Sequence, residues 1–304
     1  MRKITCNEIL TAVEKLCAEA AFNLPCDVYL ALKEAAVRED GDLSRSLIFQ
    51  CVKNADIAAK NRVPICQDTG FAVVFAEVGR NLTVEGEDDL CTAIQKGVRL
   101  GYEKHYLRKS IVSDPLFERK NTGDNSPAII HSDIVEGDGL KIILAPKGGG
   151  SENCSALKML KPSDGEQGVI DFVVNTVISA GGNPCPPVIV GIGIGGTAEK
   201  CMEIAKRALL RPIVGAYCIR PNDGDTNDGD NNLGVCNTPL QNKYKNLEQK
   251  ILEKINESGV GAQGLGGKTT ALAVHIETHP THIACLPVAV AINCHVARHS
   301  EVVL

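Results

Sequence analysis

Three cysteines in turn-rich segments are the residues of this sequence best suited to hold a metal. Cys66 lies in Pro-Ile-Cys-Gln-Asp-Thr-Gly, Cys185 in Gly-Gly-Asn-Pro-Cys-Pro-Pro, and Cys294 in Ala-Ile-Asn-Cys-His. Because Pro, Gly, Asn and Asp end regular structure, we expect these thiols on loops, where ligands usually bind. Three thiolates converging on an iron–sulfur cluster would leave one iron without a protein ligand. Spacing alone does not select them, because they lack the compact Cys-x2-Cys runs of ferredoxins.

The cysteine content is high, with thirteen in the chain. An odd number argues against a closed set of disulfides in a secreted protein. We therefore expect thiols in a reducing compartment, most of them serving as small buried packing groups.

The composition is typical of a globular protein and excludes several classes of partner. The 304 residues are 44% hydrophobic and 23% charged, and the net charge is -5 with both signs interspersed. The basic residues are not clustered, so the sequence gives no indication of binding to nucleic acid or anionic lipid. No apolar run resembles a signal peptide or a membrane span, so we expect a cytoplasmic protein.

Hydrophobic periodicity predicts a mixed α/β chain, with a helical N-terminal segment followed by alternating strands and helices. Thr5 and Glu8 have the spacing of a capping box ahead of a first amphipathic helix. Similar patterns predict further helices near 26–38, 43–60, 88–104, 166–179, 198–210 and 244–257. Short apolar or β-branched runs predict strands near 71–78, 128–131, 140–145, 187–191 and 271–276.

An acidic stretch interrupts this pattern between residues 212 and 240. Its Asn/Asp spacing over 222–232 superficially resembles a calcium loop. It lacks the glutamate at the twelfth position and the flanking helices of an EF-hand, so a solvated surface loop is the better interpretation.

Two glycine-rich motifs suggest nucleotide binding but each lacks a required part. Gly191–Gly196 matches the dinucleotide-binding pattern, yet no acidic residue follows about twenty positions later to hold a ribose. Its glycines could still let a strand-to-helix turn approach an anion. Gly266–Thr270 resembles the end of a P-loop, but Ala262 replaces the first glycine. This second loop could still bind a carboxylate, or could be a plain turn before a strand.

Six motifs, in order along nearly the whole chain, strongly resemble the class I fumarase family of iron–sulfur hydro-lyases. They are Ile65–Gly70, Asn121–Asn125, Lys147–Asn153, Asn183–Pro187, Gly261–Gly267 and Ile292–His295. The chain looks like the α subunit of the two-subunit form. The resemblance implies one domain over 1–304, with a helical segment at 1–62 and an α/β part at 63–304 around a cluster-binding cleft. The insertion near 212–240 is the main departure.

The resemblance implies a 4Fe-4S cluster bound by Cys66, Cys185 and Cys294. Cys154 and Cys285 are rivals that the family pattern does not favour. An iron without a protein ligand would act as a Lewis acid on water and hydroxyl groups, with no net redox chemistry.

The family's substrate contacts match Gln67, Asp68, Arg108, Gly150 and His282. Asp68 is implied in proton transfer or in orienting the reacting hydroxyl, although an Asx-type turn contact would also explain it. Arg108 suits a carboxylate because a guanidinium can bind it through two donors. Gly150 would offer a main-chain N–H, and His282 would contact the substrate or move a proton, or would be structural.

The resemblance also implies a partner and a reaction. Residues that complete the site in single-chain relatives belong to a C-terminal domain, so we expect a separate β subunit, an α2β2 assembly and an inactive isolated α subunit. We expect fumarate hydration to L-malate, with L-tartrate dehydratase as the nearest alternative. A dinucleotide-dependent oxidoreductase and a noncatalytic cluster carrier are alternatives from other classes.

Overall fold

The computed structural model describes residues 2–213 and 239–304. The acidic stretch at 222–232, with its surface-loop and calcium interpretations, lies outside the described residues. The helices are α1 (Cys6–Phe22), α2 (Cys26–Arg38), α3 (Asp42–Asn61), α4 (Leu90–Lys104), α5 (Gly149–Glu152), α6 (Gly165–Ala180), α7 (Ala198–Ala208) and α8 (Pro239–Glu257). None of the described helices is long and apolar enough to cross a membrane.

The strands alternate with these helices, which confirms the predicted mixed α/β class. They are β1 (Arg2–Thr5), β2 (Phe71–Gly79), β3 (Leu82–Glu85), β4 (Ile129–Val135), β5 (Leu140–Lys147), β6 (Ala156–Leu160), β7 (Val188–Gly195), β8 (Ala271–His279), β9 (Leu286–Asn293) and β10 (Ser300–Val303).

The chain forms two compact units, each built from separate stretches of sequence. Unit 1 comprises Met1–Pro25, Gln50–Asn153 and Val296–Leu304, and unit 2 comprises Cys26–Phe49 and Cys154–His295. The interpretation of residues 1–304 as one domain stays a prediction.

Unit 1 contains a four-stranded sheet in the order β10-β5-β2-β4, together with the short parallel pair β1-β3. The apolar stripe of α1 packs with α4 and with this sheet in one buried cluster, which includes Ile9 of α1, Ile94 of α4 and Ile142 of β5. The capping box at the start of α1 is confirmed: the Thr5 hydroxyl accepts the Glu8 N–H at 3.2 Å, and the Glu8 carboxylate accepts the Thr5 N–H at 2.7 Å. These bonds satisfy N–H groups that a helix start leaves without partners.

Unit 2 contains a four-stranded sheet in the order β6-β9-β7-β8, with β7 parallel to β8 and antiparallel to β9. One sheet face packs in a cluster with apolar residues of α6 and α8, such as Val173 and Ile251. Helix α7 packs against β7 as well. Every residue of β7 is buried, as expected for a central strand covered on both faces.

The glycines within the 191–196 pattern allow helix α7 to pack closely against β7. Gly191 and Gly193 lie inside β7, where a Cβ would stand 2.2 Å from the carbonyl oxygen of Ala205 and 2.0 Å from that of Cys201, respectively. Both carbonyls belong to α7. A dinucleotide fingerprint needs its first glycines in the strand-to-helix turn. Here they let a helix approach the middle of a strand.

Candidate active site

The loop between α3 and β2, in unit 1, carries Cys66, Gln67 and Asp68. The sulfur of Cys66 lies 3.5 Å from Oε1 of Gln67, whose side chain is exposed, while Asp68 is half-buried. Oδ1 of Asp68 accepts the N–H of Gly70 at 3.0 Å. This is the turn contact that the sequence offers as a local explanation of Asp68.

A second bond connects Asp68 to the glycine-rich loop that follows β5. Its Oδ2 accepts the N–H of Gly149 at 2.8 Å. The two loops approach closely, because a Cβ at Gly70 would lie 2.6 Å from the main-chain oxygen of Lys147, and φ of Gly70 is +71°. Both conditions require glycine at position 70. Each carboxylate oxygen of Asp68 therefore accepts a main-chain N–H, which fixes the side chain.

Lys147 is buried and supports the glycine-rich loop from within. Its Nζ donates to Oγ of Ser151 at 2.7 Å and lies 3.4 Å from the Glu152 carboxylate. The Ser151 hydroxyl in turn donates to the carbonyl oxygen of Gly148 at 3.2 Å. The ammonium charge is thus paired inside the turn that presents the Gly149 N–H.

Arg108 lies on a third loop that contacts the first. The Thr69 hydroxyl donates to the carbonyl oxygen of Arg108 at 2.8 Å, while the Arg108 side chain is exposed. Hydrogen bonds therefore link three loops of unit 1, and these loops hold five of the predicted site residues. The five are Cys66, Gln67, Asp68, Arg108 and Gly150.

Two buried side chains, which the sequence did not identify as site residues, hold the main chain of the Asp68 loop. The Tyr102 hydroxyl donates to the carbonyl oxygens of Thr69 at 2.8 Å and Gly70 at 3.1 Å. Burial raises the pKa of Tyr102 far above its usual value, so the hydroxyl remains a donor. The Asn125 amide also donates to the Gly70 carbonyl, at 3.0 Å. Nothing in the sequence distinguishes Tyr102 from other residues of its predicted helix. Asn125, by contrast, lies within one of the motifs that resemble the family.

Cys185 and Cys294 lie in unit 2, at the same end of its sheet. Cys185 precedes β7 and Cys294 follows β9, and these antiparallel strands pair Ile189 with Asn293 at that end. The carbonyl oxygen of Cys185 accepts the N–H of His295, the neighbour of Cys294, at 3.3 Å. The structure therefore brings these two predicted ligand loops together.

Gln263 and His295 connect these cysteine loops to a further glycine-rich turn of unit 2. Nε2 of Gln263 donates to the carbonyl oxygen of Pro186 at 2.8 Å and lies 3.3 Å from Nδ1 of His295. Nδ1 of His295 also lies 3.0 Å from the Cys185 carbonyl oxygen. Both residues stand in motifs that resemble the family, which is the signal that could have selected them.

His282 lies at the other end of the same sheet, in the connection before β9. The eight residues of β9 separate it from Cys294, and a strand of that length spans roughly 26 Å. His282 is exposed and lines an open pocket with Gly196, Thr197 and His279. Its predicted contact with the substrate therefore rests on the resemblance alone. Cys285, one of the rival cysteines, also lies at this end.

The bonding state and grouping of the cysteines bear on their role as metal ligands. Cys66, Cys185 and Cys294 are outside any disulfide, whereas Cys26 is disulfide-bonded, contrary to the expectation that all remain thiols. Within residues 2–213 and 239–304, no three His, Cys, Asp or Glu side chains are grouped as a metal site. Two of the expected ligands share unit 2 and Cys66 belongs to unit 1. The three-cysteine set stays a prediction.

The loop that resembles a P-loop binds a carboxylate of this chain. Glu39 is buried, and its carboxylate accepts the N–H groups of Lys268 at 3.0 Å and Thr269 at 2.7 Å, together with the Ser44 hydroxyl at 2.9 Å. Burial by itself would raise the pKa of Glu39, but these hydrogen bonds outweigh it and hold the pKa below its ordinary value. The donors that would hold a phosphate in a P-loop are therefore occupied.

Comparison with known proteins gives matches over nearly the whole chain. The sequence model of the family described as fumarate hydratase (fumerase) matches residues 10–303. A putative L(+)-tartrate dehydratase subunit alpha of Methanocaldococcus jannaschii is 42% identical over 296 residues, covering 96% of each chain. The L(+)-tartrate dehydratase subunit alpha of Escherichia coli strain UTI89 is 30% identical over 290 residues, covering 95% of this chain and 88% of that one. Its counterpart in Shigella boydii is 29% identical over 300 residues, covering 98% and 91%.

Proposed function

Because this chain belongs to the fumarate hydratase family, we propose that it is the α subunit of a two-subunit class I fumarate hydratase. This hydro-lyase would add water reversibly to fumarate and give L-malate. The observation that carries the proposal is the arrangement around Asp68. A candidate acid–base residue stands two positions after a candidate cluster ligand, and both of its carboxylate oxygens are fixed by main-chain N–H groups.

We propose that Cys66, Cys185 and Cys294 hold a 4Fe-4S cluster. The donor set fits, because all three are cysteines on loops with some exposure, and thiolates are the usual ligands of such clusters. The hydrogen bond between the Cys185 and His295 main chains supports a shared site for two of them. When bound through three cysteines, the cluster supplies a Lewis acid that makes hydroxide a better leaving group or nucleophile.

The residues of unit 1 would bind and orient the dicarboxylate. The exposed guanidinium of Arg108 can grip one carboxylate through two parallel hydrogen bonds. Gly150 lies in the first turn of α5 and has no side chain to obstruct a carboxylate near its N–H. Gln67 adds an exposed amide donor beside Cys66. Fixed donors of this kind stabilise the negative charge that develops when a proton is removed beside a carboxylate.

Asp68 would move the proton or orient the reacting hydroxyl. A general base must lie within hydrogen-bond reach of its proton, so a carboxylate fixed by two N–H groups is a suitable candidate. We propose no specific step for His282, whose candidacy comes from the resemblance.

We further propose that a β subunit completes the site, in an α2β2 assembly. The relatives from Escherichia coli and Shigella boydii are named as alpha subunits, which supports a partner of this kind. We expect the α subunit alone to show no hydration activity, because the remaining carboxylate-binding cations would come from the partner.

L-Tartrate dehydratase is the second candidate, and the names of the relatives favour it. The test is to purify the αβ complex without oxygen and assay it with fumarate, L-malate, L-tartrate and mesaconate. We expect rapid interconversion of fumarate and malate. Rapid tartrate turnover with negligible malate turnover would reverse the choice of substrate. Tight NADH binding by iron-free protein would instead favour an oxidoreductase, and electron transfer without hydration would favour a cluster carrier.

A further inference from the structure

The main-chain carbonyls of Asp68, Thr69 and Gly70 all accept hydrogen bonds from side chains of distant segments. The Tyr102 hydroxyl donates to the carbonyls of Thr69 and Gly70, and the Asn125 amide donates to that of Gly70. Nη2 of Arg298 donates to the carbonyl oxygen of Asp68 at 2.7 Å. Asp68 is thus held at its carboxylate by two N–H groups and at its main chain by a guanidinium.

Arg298 differs from the other two donors because it is charged and almost fully buried, with 4% of its surface exposed. Within the part of the chain that the structure describes, it has no carboxylate at ion-pair distance, and its Nε has no hydrogen-bond acceptor. Burying a charge without a partner costs free energy, and an apolar side chain of similar volume often packs as well. Packing alone therefore does not explain an arginine at this position.

We propose that Arg298 is a positioning residue for Asp68, an inference that rests on the proposed function. It fixes the carbonyl of the residue whose carboxylate does the acid–base chemistry, and it keeps a permanent positive charge beside the loop. Its hydrogen bond to Asp68 goes to the main chain, so the role assigned to it is to hold Asp68 in place.

This role predicts an effect on turnover more than on binding. Displacing a reacting group by 1 Å can cost about 100-fold in rate, even when the substitution is remote from the chemistry. Substrate affinity depends on the carboxylate-binding donors, which Arg298 does not contact among the described residues. Loss of the Arg298 bond should therefore lower kcat while KM changes little.

The experiment compares Arg298→Met and Arg298→Lys in the αβ complex purified without oxygen. Methionine removes the charge and the donor but keeps an extended side chain, whereas lysine keeps the charge and one donor. We expect Arg298→Met to lower kcat about 100-fold, with KM changed less than about threefold. Arg298→Lys should recover about a tenth of the original kcat. Arg80→Met is the matched control, because Arg80 forms an exposed ion pair with Glu136, and it should keep wild-type kcat.

Hydrogen exchange gives a readout that does not need activity. In Arg298→Met we expect faster exchange in peptides spanning residues 66–71 and 147–152, which contain the Gly70 and Gly149 N–H groups. Exchange in α4 should match that of the Arg80→Met control, showing that unit 1 remains folded.

Unchanged exchange in the two loop peptides would overturn the proposal, and so would an effect confined to KM. Equal kcat values for the methionine and lysine variants would also contradict it. If the wild-type complex turned over none of the dicarboxylates, the proposed function would fail separately. The exchange comparison would still show whether Arg298 orders the Asp68 loop.

Discussion

The carboxylate of Glu39 accepts the main-chain N–H groups of Lys268 and Thr269, which lie more than two hundred residues later in the chain. Glu39 stands in the short connection between α2 and α3, and both partners belong to unit 2. An acidic side chain of the protein thereby fills the loop that resembled a phosphate-binding motif. The bond also connects the segment Cys26–Phe49 to the rest of unit 2.

Replacing Glu39 by Gln should destabilise unit 2. The amide keeps one oxygen acceptor but places its NH2 group opposite the N–H of either Lys268 or Thr269, which leaves a buried donor without an acceptor. We expect the free energy of unfolding to fall by about 1–3 kcal/mol, measured by urea denaturation. Asp40→Asn is the control, because Asp40 pairs with Lys268 on the exposed surface and should change stability by less than about 1 kcal/mol. Equal effects of the two substitutions would contradict this interpretation.

The Glu39 contact should also make stability depend on pH in the acidic range. Because hydrogen bonds hold the pKa of folded Glu39 below the ordinary value of 4.5, its contribution is present above that value. The contribution is lost as the pH falls through the lowered pKa, where the carboxylate takes up a proton. Thermal melts between pH 3 and pH 7 should therefore show a steeper acidic loss for wild type than for Glu39→Gln. Parallel profiles would show that Glu39 does not contribute.

Gly193→Ala should separate helix α7 from β7. The added Cβ would stand 2.0 Å from the carbonyl oxygen of Cys201, so the helix must move. Overpacking of this kind costs roughly 1–3 kcal/mol or more, which a urea titration would measure. Gly139→Ala is the control, because the nearest atom to its Cβ is 3.8 Å away. If the wild-type protein bound NADH and a stable Gly193→Ala variant did not, the result would instead favour a dinucleotide-binding role for this glycine pattern.

Replacing Cys66, Cys185 or Cys294 by Ser should abolish cluster binding. Cys154→Ser and Cys285→Ser should retain it, because Cys154 packs against the apolar core of unit 2 and Cys285 lies at the opposite end of β9 from Cys294. Iron and sulfide would be counted in complexes purified without oxygen, with EPR on the same samples. Loss of iron in the Cys285 variant alone would require a different set of ligands.

Asp68→Asn should abolish most hydration activity while the fold is retained. Asparagine keeps an oxygen that can accept the Gly70 N–H, but its NH2 group would face the Gly149 N–H and it cannot accept or donate a proton as a carboxyl group does. General acid–base catalysis is typically worth about 100- to 10,000-fold, so we expect kcat to fall within that range. Asp114→Asn is the control, since Asp114 accepts the N–H groups of Leu116, Phe117 and Glu118 in an exposed turn. Wild-type kcat in Asp68→Asn would exclude Asp68 as the acid–base group.

Local sequence signals predicted most elements of the fold. The helix after Thr5, the strand at 71–79 and the strand at 271–279 all occur where periodicity and turn residues indicate. Strand β9 was missed because Pro287 near its start argues against a strand. Strands β1, β3 and β10 have four residues each, too few to establish an alternating pattern.

The candidate site was predictable only as far as family-like motifs extend. Those motifs contain Asp68 and the cysteine loops, but not Tyr102 or Arg298. The Asp68–Arg298 bond joins residues 230 positions apart, and no spacing rule relates them. Likewise, the glycine-rich loop at 266–270 could be predicted to bind an anion, whereas its partner Glu39 lies 229 positions before Lys268.

The interleaving of the two units has a practical consequence for attempts to divide this protein. Unit 1 is assembled from three stretches and unit 2 from two, so cleavage of any single peptide bond leaves at least one unit in two pieces. Neither unit corresponds to one uninterrupted stretch of the chain, so producing it alone would require joining its separate segments. Proteolytic nicking should therefore yield fragments that stay associated until the protein is denatured.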